Sequence, residues 1–205
     1  MGVGERKDVL LNDIIIGNYK STGDNNKDLE IASEVLKNKG LWKKQEVVDM
    51  MFNQAQSFAY TANNLFEKDI RNHPRNFYSF APFVVNAAFS IEIYFKTLHK
   101  MNGKNSKGHS LSDLYMSLNN KFQKIIKQIG EETRALYQIE KEKGFEYYLS
   151  QLDDAFVKWR YIYEGNVDQI YFSPTIFVIQ VLDKTCVAVK KSIEKNQPNI
   201  PPFSQ

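Results

Sequence analysis

Two stretches of the chain set charge among apolar or aromatic neighbours at helical spacing. The first is Ala87-Ala88-Phe89-Ser90-Ile91-Glu92-Ile93-Tyr94-Phe95-Lys96, where Glu92 and Lys96 stand one turn apart in an otherwise apolar run. A carboxylate in such surroundings must be paired or hydrogen-bonded, because an unpaired buried charge is strongly destabilising. The second is Trp159-Arg160-Tyr161-Ile162-Tyr163-Glu164, with Arg160 among aromatics and Glu164 one turn on. An arginine in that setting can grip a phosphate through its planar fork of donors, and Tyr161 and Tyr163 can stack on bases. The competing structural reading pairs Glu92 with Arg160 to fix how two helices dock. His109 carries a similar choice. It precedes a helix-start signal, so it either packs locally or serves as a general base or ligand contact where anions bind readily.

Other chemistry is excluded by what is missing. Gly17-Asn18-Tyr19-Lys20-Ser21 has the Lys-Ser of a phosphate loop, but Ile14 and Tyr19 stand where glycine would let the backbone wrap a phosphate. Asp24-Asn25-Asn26-Lys27-Asp28 lacks the spacing and closing glutamate of a calcium loop. The histidines are His73, His99 and His109, none spaced as a helical ligand pair, and the one cysteine, Cys186, cannot complete a zinc site. No metal and no cofactor is expected. Cys186, between Leu182 and Val189, reads as an inert core thiol, and the lack of a second cysteine fits a reducing compartment. Lys and Arg outnumber Asp and Glu by 27 to 24, too small an excess to argue for nucleic acid or an anionic membrane from bulk charge. Met1-Gly2 opens like a myristoylation signal, but Arg6 occupies the Ser/Thr position. No signal peptide is evident, and no run approaches the roughly 18–20 apolar residues that span a bilayer. The expected location is cytoplasmic.

These residues need helices to position them. Val48, Met51, Phe52, Ala55, Phe58, Ala59, Ala62, Leu65 and Phe66 recur at steps of three and four, predicting a helix over 44–70. Asn72-His73-Pro74 stops it. A second helix starts near Ser79–Pro82 and ends before Gly103. It is apolar along Val84, Ala87, Ala88, Ile91, Tyr94, Phe95 and Leu98 and partly so on the other face, so it is the central helix. Ser110 with Asp113 predicts the cap of a short third helix. A fourth is predicted over 120–143 with Leu136 inward, and a fifth from Phe145 through Tyr163. A sixth opens at Ser173-Pro174 and bears Phe177, Ile179, Leu182, Cys186 and Val189. Before the bundle, residues 1–45 form an N-terminal arm or extension, with a strand or apolar arm over Val9–Ile16, turns at Gly17-Asn18-Tyr19 and at residues 23–26, and a short helix that Gly40 ends. Residues 196–205 form an irregular tail. The fold class is all-α: an antiparallel helical bundle of about five to six helices over residues 46–195.

The run Phe89–Lys96, followed by Gly108-His109-Ser110-Leu111-Ser112-Asp113-Leu114 and then by Trp159–Glu164, resembles bacterial HEPN-domain proteins, the higher-eukaryote and prokaryote nucleotide-binding domains. The resemblance covers roughly residues 46–195. It implies a HEPN-like antiparallel bundle, often a homodimer, found in toxin–antitoxin and phage-defence systems, and in many members a metal-independent RNase. The RNase signature is an arginine followed after four to six residues by a histidine. Arg6, Arg71, Arg75, Arg134 and Arg160 all lack a histidine in that window. The general acid/base partner is therefore missing from its usual place. The expectation is a non-catalytic module that binds nucleotide, RNA or a protein partner, with Arg160, Tyr161, Tyr163, Glu164, Glu92, Lys96 and His109 as ligand-binding candidates. One alternative is an endoribonuclease with an altered site built from Arg160 and His109; another is a purely structural dimerisation domain.

Overall fold

The computed structural model describes residues 3–11, 13–42, 46–137, 139–140, 142–153 and 171–196. The chain divides into two compact units, residues 1–45 and 46–205.

The first unit is a hairpin with a helix. Strands β1 (Arg6–Leu11) and β2 (Ile14–Lys20) pair antiparallel, with a register shift between Val9 and Leu10. Asp13 takes a positive φ of 63° in the connection, a conformation that aspartate tolerates better than most residues. Helix α1 (Asn25–Asn38) is capped by Asp24, whose carboxylate accepts from the backbone N–H of Asn26 and Lys27. Gly17-Asn18-Tyr19 is not a turn but part of β2. A Cβ on Gly17 would lie 2.6 Å from Val35 Cγ1, so glycine here permits close approach of strand to helix. Asp28 ties the unit together. Its carboxylate accepts from Lys7 Nζ at 2.7 Å, Ser21 Oγ at 2.6 Å, the Thr22 backbone N–H at 2.7 Å and Thr22 Oγ1 at 2.8 Å. The hydrogen bonds from Lys7, Ser21 and Thr22 hold its pKa far below the usual carboxylate range.

The second unit is helical. Its elements are α2 (Val47–Leu65), ending in a π-helical turn over Phe66–Ile70, α3 (Phe80–Met101), α4 (Leu111–Met116), α5 (Asn120–Thr133), α6 (Phe145–Leu152) and α7 (Phe172–Asn196). Helix α3 is the centre, with Phe83, Ile91, Tyr94, Phe95 and Leu98 almost wholly buried. Contacts fix the helix directions. Phe52 meets Tyr94, Phe58 stacks on Phe89 and Phe66 meets Phe83, so α2 and α3 run antiparallel. Phe83 meets Phe172 while Tyr94 bonds to Asp183, so α3 and α7 run parallel. The bundle is thus antiparallel only in part, because the chain crosses back through α4–α6 before α7 begins.

Among the described residues, the buried hydroxyls of this core are satisfied. Ser90 Oγ donates to the Ala55 carbonyl at 3.0 Å, and Tyr94 Oη donates to Asp183 Oδ1 at 2.9 Å. Burial first, and Asp183 second, push the Tyr94 phenol well above its ordinary pKa. Cys186 is buried, and its thiol is likewise pushed up by burial. Such a thiol stays protonated, which suits a packing role.

Three further sequence expectations need revision. The fourth helix stops at Thr133 and tightens into a 3₁₀ turn over Arg134–Tyr137. Tyr137 and Ile139, two residues apart, turn inward instead, a spacing no α-helix can supply, while Leu136 is exposed. The fifth helix ends at Leu152, because Asp153 leaves helical geometry (ψ 140°) to cap α4. Helix α7 is long and apolar enough to cross a membrane, contrary to the reading that no run approaches that length; 56% of its apolar stretch is buried inside the protein, as in the core helix of a bundle.

Candidate functional site

The central helix delivers its charged pair as its spacing requires. Glu92 and Lys96, four residues apart, stand one above the other on α3. Lys96 Nζ donates to Glu92 Oε1 at 2.7 Å, with the Glu92 side chain only 12% exposed. His109 Nδ1 meets the same oxygen at 3.0 Å, and this imidazole is 81% exposed. The site is therefore a carboxylate set into an apolar helix, covered by an ammonium on one side and an exposed imidazole on the other.

The loop that carries His109 is anchored on its α4 side. Gly108 turns the chain with a φ of +88°, which a residue with a side chain rarely adopts. On the other side, Ser110 caps α4, its Oγ accepting from the Asp113 N–H at 3.2 Å. Asp153 adds a second cap from the end of α6. Its carboxylate accepts from the Leu111 N–H at 2.8 Å, from the Ser112 N–H at 3.3 Å and from Ser110 Oγ at 3.3 Å. These bonds satisfy orphan donors of the first turn and anchor the residue next to His109. Nothing in the sequence pointed to Asp153, since its role depends on α6 and α4 meeting in space.

Chemical consequences follow from the donor inventory. An ionised carboxylate only accepts, so the Nδ1 facing Glu92 carries the hydrogen. The neutral ring then presents Nε2 as an acceptor. Such an imidazole can take a proton from a hydroxyl, or, once protonated, donate to a phosphate oxygen. His99 differs. It is buried, and its Nε2 lies 2.9 Å from the Leu114 carbonyl oxygen, so that nitrogen is a donor tying α3 to α4.

Of the residues singled out by sequence, the structure brings Glu92, Lys96 and His109 together. Arg160, Tyr161, Tyr163 and Glu164 lie outside the described residues, as do the Glu92–Arg160 pairing and the approach of Arg160 to His109. Among the described residues, no three His, Cys, Asp or Glu side chains are grouped to hold a metal. No protein-family model, curated protein or solved structure matches this chain.

Proposed function

We propose that the second unit is a HEPN-like module of the cytoplasm, working as a homodimer, that binds nucleotide or RNA without cleaving it. The supporting observation is the exposed His109 imidazole held by a carboxylate that the central helix keeps nearly buried. A residue serving packing alone has no need of an open Nε2. Lys96 stands in the same patch with its charge paired to Glu92, so a phosphate would be met chiefly by the exposed His109 ring. The helical architecture and the run Phe89–Lys96 agree with the family reading, and the missing Arg-x4-6-His signature favours binding over catalysis. A place in a toxin–antitoxin or defence system follows from the same reading.

The test is binding of labelled single-stranded RNA by the purified protein over a salt series. Binding at low salt that weakens with added salt and in His109→Ala is the expected result. Absence of any RNA or nucleotide binding at low salt would overturn this reading and favour the structural dimerisation reading. One observation favours a second reading: the Glu92–His109 dyad has the form of an oriented general base. Metal-free RNA cleavage that disappears in His109→Ala would establish that alternative, an endoribonuclease with an altered site.

A further inference from the structure

A groove of about 720 Å³ lies at the end of the bundle where the π-helical turn of α2 meets the first turn of α7. That volume falls within the roughly 300–1,000 Å³ of small-molecule sites. Phe66 and Ile70 are buried beneath it, while Leu136, which also lines it, is 73% exposed. Each aromatic ring of the groove already has a partner. Phe66 meets Phe83, Tyr137 meets Phe177 and Tyr171 meets Tyr148, and Phe172 is covered by Arg75, Phe80 and Phe83. No flat face is left for a stacked ring. The apolar group most open to a ligand is the aliphatic side chain of Leu136.

The charges of the groove do not cancel. Glu67 engages Arg71 at 2.7 Å, and both stay exposed. Arg75 is exposed too and has no carboxylate within ion-pair distance among the described residues. Its guanidinium lies 6.0 Å from the Phe172 ring centroid, which holds it in place while its edge stays open for an anion. Helix α7 begins here and adds the positive end of its dipole. Burial first, and Glu67 second, raise the Tyr137 phenol above its ordinary pKa, so it stays protonated and offers a neutral donor. One guanidinium and one helix terminus therefore remain for one negative charge.

We propose that this groove binds an aliphatic carboxylate, its carboxylate in the Arg75 fork and its hydrocarbon body along Leu136 above Phe66 and Ile70. The planar fork matches the two oxygens of a carboxylate. Glu67 sets the charge class: it already matches Arg71, so a second negative charge on the ligand meets Glu67 instead of a cation. The site stands on these contacts and is independent of the function proposed above. Phe80 begins α3, and Glu92 lies twelve residues further along, about 18 Å at 1.5 Å per residue. A free aliphatic acid and a peptide ending in a leucine carboxylate present the same chemistry, and the test separates them.

The test is calorimetric titration of the full chain at low salt and about pH 8, where a phosphate monoester carries two charges. The ligands are octanoate, octanol, acetate, octyl phosphate and a five-residue peptide ending in leucine, each below its aggregation concentration. Octanoate binds. Octanol, without the charge, and acetate, without the body, each bind at least about tenfold more weakly. Arg75→Ala weakens octanoate by about tenfold and Leu136→Ser by a few-fold. Glu67→Gln moves the preference between octanoate and octyl phosphate toward the phosphate by several-fold. Lys121→Ala changes nothing: Lys121 follows Asn119, which bonds to Asn102 at the far end of α3. Thermal melts confirm that the variants remain folded, as expected for exposed side chains. A peptide that binds more tightly than octanoate identifies a chain terminus as the source; the reverse order identifies a free acid. The proposal is overturned if octanoate does not bind, if octanol or acetate binds as well, or if its affinity is indifferent to Arg75→Ala or to Leu136→Ser.

Discussion

Asp28 and Glu92 are both carboxylates largely withdrawn from water, one in the hairpin unit and one on the central helix of the bundle. Asp28 has both oxygens occupied, each by two donors within 2.8 Å. Its acceptor capacity is spent within the fold, so its role is to hold β1, β2 and α1 together. Glu92 uses one oxygen, Oε1, for both Lys96 and His109, and among the described residues Oε2 accepts no hydrogen bond. One of its partners is an imidazole left in solvent. Burial and pairing alone do not separate structural from functional carboxylates here. The separation lies in how far the partners reach into solvent: Asp28 meets a backbone N–H, two hydroxyls and a largely covered lysine, whereas Glu92 holds a ring that is 81% exposed.

The comparison can be broken at several points. The largest effect is expected from Asp28→Asn, which removes the charge that Lys7 neutralises and leaves an amide where only acceptors fit. Hydrogen exchange should show the Thr22 amide and the β1–β2 ladder losing protection; unchanged protection would mean that Asp28 is not the clip. Acid does the same in the native protein. Because the folded-state pKa of Asp28 is depressed, its contribution is complete above the ordinary aspartate value of about 3.9 and is lost as pH falls below it. Hairpin protection should therefore decline below about pH 4 in the native chain and show no such step in Asp28→Asn.

Asp153→Ala comes next. It strips a double cap from α4, at a cost of about 1–2 kcal/mol in denaturant unfolding. It should also weaken ligand binding at His109, since the loop loses an anchor. Glu92→Gln is smaller in stability, about 1 kcal/mol or less for a partly exposed pair, but it removes the charge that orients the imidazole. RNA affinity should fall while the melting temperature barely moves. His109→Ala is the smallest in stability, within about 0.5 kcal/mol for an exposed side chain, and among the largest in RNA binding. An inverted order, with His109→Ala destabilising and RNA affinity intact, would make Glu92 a second Asp28.

Much of the helical frame could be read from residue spacing. The 3–4 repeat from Val48 to Phe66 and the two-sided apolar pattern of α3 each specify a packing partner, and the Ser110 cap is a local signal. The breaks were less legible. Helices α5 and α6 end where tertiary contacts outcompete continuation: Tyr137 and Ile139 turn inward together, and Asp153 reaches across to α4. Gly17 looked like a turn because glycine carries two meanings, and close approach of a helix is not encoded locally. At the site, the Glu92–Lys96 spacing was visible as a conflict between charge and burial. The pairing of His109 with Glu92 spans seventeen residues through a loop, and only folding brings them into contact. Arg71 and Arg75 flank the Asn72-His73-Pro74 stop and drew notice only for the histidine missing after them; only folding brings the first turn of α7 beside them.

The most direct test of the account is the imidazole of His109 itself. Nitrogen-15 NMR of the native chain, with His109→Ala used for assignment, should show Nδ1 carrying the hydrogen bond to Glu92 and Nε2 open. On titration with single-stranded RNA at low salt, the Nε2 resonance should shift in step with saturation. RNA binding that leaves both His109 nitrogens unmoved, or a His109 ring that never contacts Glu92, would contradict it.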